Sequence, residues 1–137
     1  YNLLSGITLH EHYELIMESG IGGVHINSRT PDFWLRDFEE KCRLPKSGTG
    51  IRISKSFHSL NELAASCLPL DYATLSPIYD SISKTGYKSH FQNKSELSGA
   101  IGQSSFPIVA LGGVTPDKFN ELRALGFGGA AMLGALF

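Results

Sequence analysis

The chain has 137 residues, 42% of them hydrophobic and 18% charged, with a formal net charge of −1. That composition is globular rather than disordered and long enough to bury a core, so a single domain over 1–137 is the expectation. No block of Lys or Arg points to nucleic acid or an anionic membrane surface, and no apolar run approaches the ~20 residues of a membrane span.

No signal peptide is visible, and Cys42 and Cys67 lack metal or redox spacing, which predicts a reduced, cytoplasmic protein. The sequence opens on Tyr1 and closes on an apolar run at Phe137, so both ends read as cut.

The first strand is expected over 6–9. A helix over 12–18 follows, with Leu15 and Ile16 on one side and Glu14 and Glu18 on another. A second strand is expected over 23–26. In the next helix, over 33–42, the spacing of Phe33, Trp34 and Phe38 marks a buried face. The Gly- and Ser-containing stretch 45–50 is a connector, and a third strand is expected over 51–54. Ser59 is an N-cap residue and Glu62 falls at the third helical position, so Ser59-Leu-Asn-Glu62 reads as a capping box for a helix over 60–66. A strand over 72–75, a weaker helix over 95–102 and a strand over 108–111 come next. Pro116 in the first turn and Gly126 at the end frame a helix over 116–125, and a last strand is expected over 130–133.

Strands alternating with helices predict an α/β fold with a parallel sheet. The connections are about a dozen residues or more, as parallel crossovers require. Paired runs joined by Asn-Gly or Asp-Gly are absent from the sequence. Six strands suit an open doubly wound sheet or part of an eight-stranded barrel, and periodicity leaves both open. The last two strands end in glycine, at Gly112-Gly113 and at Gly134. Bare amides at parallel strand ends are what a phosphate pocket uses, although tight strand–helix packing also selects glycine.

Five stretches then narrow the choice. Asp71-Tyr-Ala-Thr-Leu-Ser-Pro-Ile-Tyr-Asp-Ser-Ile-Ser-Lys84 resembles the signature loop of the thiamine phosphate synthase family, which shares its barrel with the thiazole tautomerases. Gly22-Gly-Val-His-Ile26, Ser56-Phe-His-Ser-Leu-Asn-Glu-Leu63, Ala110-Leu-Gly-Gly-Val-Thr-Pro116 and Gly128-Gly-Ala-Ala-Met-Leu-Gly-Ala135 match in the same order. The resemblance covers nearly the whole chain. It implies a (β/α)8 TIM barrel, present here from the third strand to the eighth. The first two strand–helix units and the closing helix would be missing; such barrels run to about 200 residues or more. Unpaired strand edges in an incomplete barrel favour either association, as in a homo-oligomer, or disorder.

The family's reaction joins a thiazole phosphate to an aminopyrimidine methyl diphosphate and releases pyrophosphate. Both substrates are small molecules. The methylene becomes cationic as the leaving group departs, so cations and Mg²⁺ are expected around the diphosphate. Lys84 matches the lysine that binds pyrophosphate, and Ser81 and Ser83 match family threonines in the same loop. Ser56 matches a hydroxyl that contacts substrate. His58 matches a histidine that acts as general acid or base in the tautomerases; alternatively it begins a helix and faces solvent. Gly112, Gly113, Leu133 and Gly134 match the cup for the thiazole phosphate. His25 belongs to the family's Gly-Val-His pattern and reads as a hydrogen-bonded core residue.

Two stretches depart from the synthase pattern. The family's Asn-Asp after the third strand is His10-Glu11 here, leaving Glu11 as the Mg²⁺ ligand and His10 as a poor substitute for an amide. The second metal aspartate corresponds to Thr30, with Asp32 two residues later, and Arg29 beside it either holds pyrophosphate directly or marks loss of the metal-dependent reaction. His10, His12, His25 and His58 lack zinc spacing. Synthase activity is the first expectation; thiazole tautomerase and a non-catalytic binder of a phosphorylated metabolite are the alternatives.

Overall fold

The structure is a computed structural model that describes residues 3–16, 20–43, 51–68, 70–80, 89 and 91–132, the side chains of 38, 39 and 41–43 excepted. Its strands are β1 (Thr8–Leu9), β2 (Gly23–Ile26), β3 (Arg52–Phe57), β4 (Tyr72–Leu75), β5 (Ile108–Ala110) and β6 (Gly129–Ala130). The helices are α1 (Asp32–Arg43), α2 (Leu60–Ala65), α3 (Lys94–Gln103) and α4 (Phe119–Ala124), with 3-10 turns at Leu3–Gly6 and Pro116–Lys118. The chain folds as two compact units, residues 1–56 with 67–72, and residues 57–66 with 73–137.

In the first unit the strands run parallel in the order β1-β2-β3. Thr8 lies opposite Gly23, and Val24, His25 and Ile26 lie opposite Ile53, Ser54 and Lys55. All four β2 residues are buried, as expected for a parallel strand covered on both faces. Val24, Ile26 and Ile53 form the sheet's contribution to the core, joined by Tyr13, Ile16 and Ile21. Asp71 is tied back to β3 twice: its amide donates to Ile53 O (2.8 Å) and its Oδ2 accepts from Ile53 N (2.7 Å).

In the second unit β4, β5 and β6 are also parallel and in chain order, Ala73 opposite Ile108 and Val109 opposite Gly129. Leu75, Ile108 and Ala110 are almost fully buried, and Leu97 and Ile101 of α3 and Leu122 of α4 are buried too. Phe57 has no exposed surface and stacks on Phe106 at 6.4 Å; burying one such ring contributes about 1.5–3 kcal/mol.

The parallel α/β class is as expected, and β2 and β4 have the expected bounds. The strand expected over 51–54 continues to Phe57, because pairing of Ile26 with Lys55 carries the ladder past the polar Lys55-Ser56 step. Of the helix expected over 12–18, residues 13–14 form a turn and 15–16 are helical, with Leu15 N donating to His12 O and Ile16 N to Tyr13 O; 17–19 lie outside the described residues. This i to i+3 spacing buries Tyr13 and Ile16 and leaves Leu15 40% exposed, so Leu15 is not the inward residue expected.

Phe33 is likewise 61% exposed: its ring rests 5.3 Å from Trp34, and Trp34 is the one that meets Tyr13, edge-on at 5.8 Å. The capping box of α2 forms, with Glu62 N donating to Ser59 Oγ (3.1 Å), but the Glu62 carboxylate reaches His58 N (3.1 Å), one residue before the cap. Helix 116–125 divides into a 3-10 turn and α4, which ends at Gly126 with φ +95°. Of the expected last strand, 133 lies outside the described residues and β6 begins earlier, at Gly129.

Candidate functional site

In the first unit, candidates gather where β1 and β2 end. Glu11 Oε1 lies 2.9 Å from Arg29 Nη2, with both side chains more than half exposed. They line a cleft of about 260 Å³ with His10, Tyr13 and Trp34. An exposed pair of this kind contributes only ~0.2–1 kcal/mol, so an arriving dianion competes readily for the guanidinium.

The loop beneath is tightly built. Asn27 Oδ1 accepts from Arg29 N (2.8 Å) and Asn27 N donates to Thr30 Oγ1 (3.0 Å). The buried Tyr13 hydroxyl reaches His10 O (2.8 Å), His25 O (2.9 Å) and Thr30 Oγ1 (2.9 Å), fixing both strand ends to one point.

This donor set does not fit Mg²⁺. The ion requires oxygen ligands in near-octahedral array. The Glu11 carboxylate is engaged by Arg29, and Thr30, at the second expected metal position, is buried with its hydroxyl already bonded. Among the described residues, no three of His, Cys, Asp or Glu cluster in a way that would hold a metal.

His25 is 5% exposed and sits between two serines of β3: Nδ1 is 2.8 Å from Ser54 Oγ and Nε2 is 2.7 Å from Ser56 Oγ. Burial, and then the charge of nearby His10, push its pKa down to about 4, so the ring is neutral at physiological pH. The His10 ring lies against it, centroids 4.6 Å apart. The core reading of His25 holds, but its partner Ser56 is itself a candidate site residue. A signal was present in the sequence: Ser54 and Ser56 alternate around Lys55, which puts both on one face of a strand.

In the second unit, His58 follows β3 and is exposed, with Nδ1 3.2 Å from both the hydroxyl and the carbonyl of Ser76. The imidazole is therefore oriented rather than loose in solvent. Gly112 and Gly113 follow β5 with φ of +87° and +62°, a region costly for other residues. A Cβ on Gly112 would lie 2.8 Å from Pro77 Cα, and one on Gly113 would strike Asp80 O and come within 2.8 Å of Tyr79 Cβ. Glycine is thus required twice, because the 77–80 loop packs against both Cα atoms. Among the described residues neither N–H finds an acceptor.

Behind them, Tyr79 carries Lys118 Nζ 5.7 Å from its ring centre, and burial first, with Glu121 next, pushes the Tyr79 hydroxyl up to about 12. Lys94 pairs with Glu121. The candidates Ser81, Ser83, Lys84, Leu133 and Gly134 lie outside the described residues.

The family model for thiamine monophosphate synthase matches residues 6–136. The thiamine-phosphate synthase of Vibrio parahaemolyticus is 37% identical over 131 residues, covering 95% of this chain and 60% of the relative. The corresponding Lactococcus lactis protein is 29% identical, with 93% and 56% covered. Among solved structures, the thiamine phosphate pyrophosphorylase of Bacteroides thetaiotaomicron has a TM-score of 0.63 at 31% identity, covering 97% of this chain and 57% of that one. That of Pyrococcus furiosus, at 17% identity and TM-score 0.64 over 91% and 55%, shares the fold. The chain spans 60% or less of the length of these relatives. With nearly every residue matched by the family model, the chain belongs to the thiamine monophosphate synthase family.

Proposed function

We propose that the protein carrying this chain joins an aminopyrimidine methyl diphosphate to a thiazole phosphate. The thiazole nitrogen forms a bond to the methylene carbon, the carbon–oxygen bond to diphosphate breaks, and diphosphate leaves with the electron pair. No oxidant or reductant is involved. The observation that carries the reading is the left-handed pair Gly112-Gly113, whose N–H groups find no acceptor among the described residues, in a chain whose relatives are named thiamine-phosphate synthases.

The two amides are suited to the thiazole phosphate, with Leu133 and Gly134 assigned to the same cup by resemblance. Lys84, with Ser81 and Ser83, is assigned to the diphosphate. Arg29 supplies a second cation for an anionic group, and His10 and Ser56 are assigned to substrate contact. Mg²⁺ remains part of the family expectation. Glu11 under Arg29 does not supply its coordination, so no step here passes through the metal. A cytoplasmic, self-associating enzyme acting on small metabolites completes the reading.

One observation favours a second reading. His58, oriented by Ser76 and open to solvent, suits a proton-transferring group in a thiazole tautomerase. The experiment that separates the two supplies the full-length protein with both phosphorylated halves and Mg²⁺ and follows diphosphate release. Release that disappears in Lys84→Ala supports the synthase. No release, with isomerisation of the thiazole carboxylate phosphate that His58→Ala abolishes, supports the tautomerase. Neither activity leaves a non-catalytic binder.

A further inference from the structure

Ser54, His25 and Ser56 form a run of hydrogen bonds. Ser54 Oγ lies 3.2 Å from Val24 O and 2.8 Å from His25 Nδ1. A carbonyl only accepts, so both Ser54 contacts are hydrogen bonds in one arrangement: its single proton goes to Val24 O and Ser54 Oγ accepts from His25 Nδ1–H. The neutral imidazole then has a bare Nε2, and Ser56, 2.7 Å away, donates its proton to it. With the ring buried and His10 lying against it, a flip to the other orientation would break both bonds.

We propose that His25 is a positioning residue that commits the Ser56 proton inward, so that Ser56 meets a substrate only as a hydrogen-bond acceptor. The ligand group it selects is an N–H donor, such as the exocyclic amine of an aminopyrimidine, and not a phosphate oxygen. Two acceptors facing each other repel, whereas an amine gains a bond. This specificity rests on the reading of Ser56 as a substrate contact; the proton arrangement itself does not.

Nitrogen-15 spectra of the full-length protein with labelled histidine, at neutral pH, read the tautomer directly, with His25 identified by the signal lost in His25→Asn. A proton on Nδ1 is expected. A proton on Nε2 overturns the proposal, and does so whether or not the protein makes thiamine phosphate. Kinetics test the consequence. Ser56→Ala and His25→Leu should each raise KM for the aminopyrimidine diphosphate about three- to tenfold, with KM for the thiazole phosphate unchanged. His25→Gln, whose amide oxygen is able to accept the Ser56 proton, should recover part of the loss. If Ser56→Ala, which disturbs no buried ring, leaves KM for the pyrimidine unchanged or instead raises KM for the thiazole phosphate, the acceptor role is wrong.

Discussion

Arg29 holds Glu11 at 2.9 Å, cation on carboxylate, at the place where the family pattern calls for acidic metal ligands. On the proposed reading, the guanidinium serves an anionic group where the resemblance implies a metal-bound one. Arg29→Ala should therefore raise KM for the diphosphate substrate about tenfold while altering stability by less than ~1 kcal/mol, since the pair is exposed. Glu11→Gln removes the competing carboxylate and should leave the Mg²⁺ dependence of turnover unchanged. Steady-state kinetics over a Mg²⁺ series check both; a sharply raised Mg²⁺ requirement in Glu11→Gln would restore Glu11 as a metal ligand.

Gly113 combines a left-handed φ of +62° with backbone and side chain on the side where a Cβ would stand. Gly113→Ala should cost about 1–3 kcal/mol in denaturant unfolding and weaken binding of the thiazole phosphate as the amide shifts. A variant as stable as the parent, with unchanged phosphate affinity, would show that the loop accepts a side chain.

His25 makes stability depend on pH in a definite direction. Its ordinary value is 6.5 and the folded value about 4, so between these limits the unfolded chain binds a proton that the folded one refuses. Stability attributable to His25 is complete above about pH 6.5 and is lost progressively as pH falls towards about 4. Urea midpoints measured across that range should fall more steeply for the parent than for His25→Asn. Equal slopes would place the folded pKa near its ordinary value.

Ser59 caps α2 through its bond to Glu62 N. Ser59→Ala should destabilise by about 0.5–2 kcal/mol, and Ser59→Asp should retain most of the cap. Thermal unfolding of the two variants separates this from a general loss of polarity.

Much of this was legible in the sequence because it is local. Gly23-Val-His-Ile26 and Tyr72-Ala-Thr-Leu75 are short apolar runs bounded by breakers, and both became strands with those bounds. Ser59 and Glu62 signalled a cap three residues apart. What failed depended on three-dimensional setting. Phe33 has helical spacing with Trp34 and Phe38, but only packing decides which aromatic turns inward. The His25–Ser56 bond joins residues 31 apart in sequence and follows from the register of β2 on β3, which no periodicity reports. The Glu11–Arg29 pair is of the same kind, two loops brought together by adjacent parallel strands.

The central claim is tested most directly by diphosphate release from the full-length protein given the aminopyrimidine methyl diphosphate and the thiazole phosphate together. The account predicts release that matches thiamine phosphate formed one for one, requires both substrates, and falls at least about a hundredfold in Lys84→Ala. Saturable binding of both substrates with no diphosphate released, or release untouched by Lys84→Ala, would contradict it.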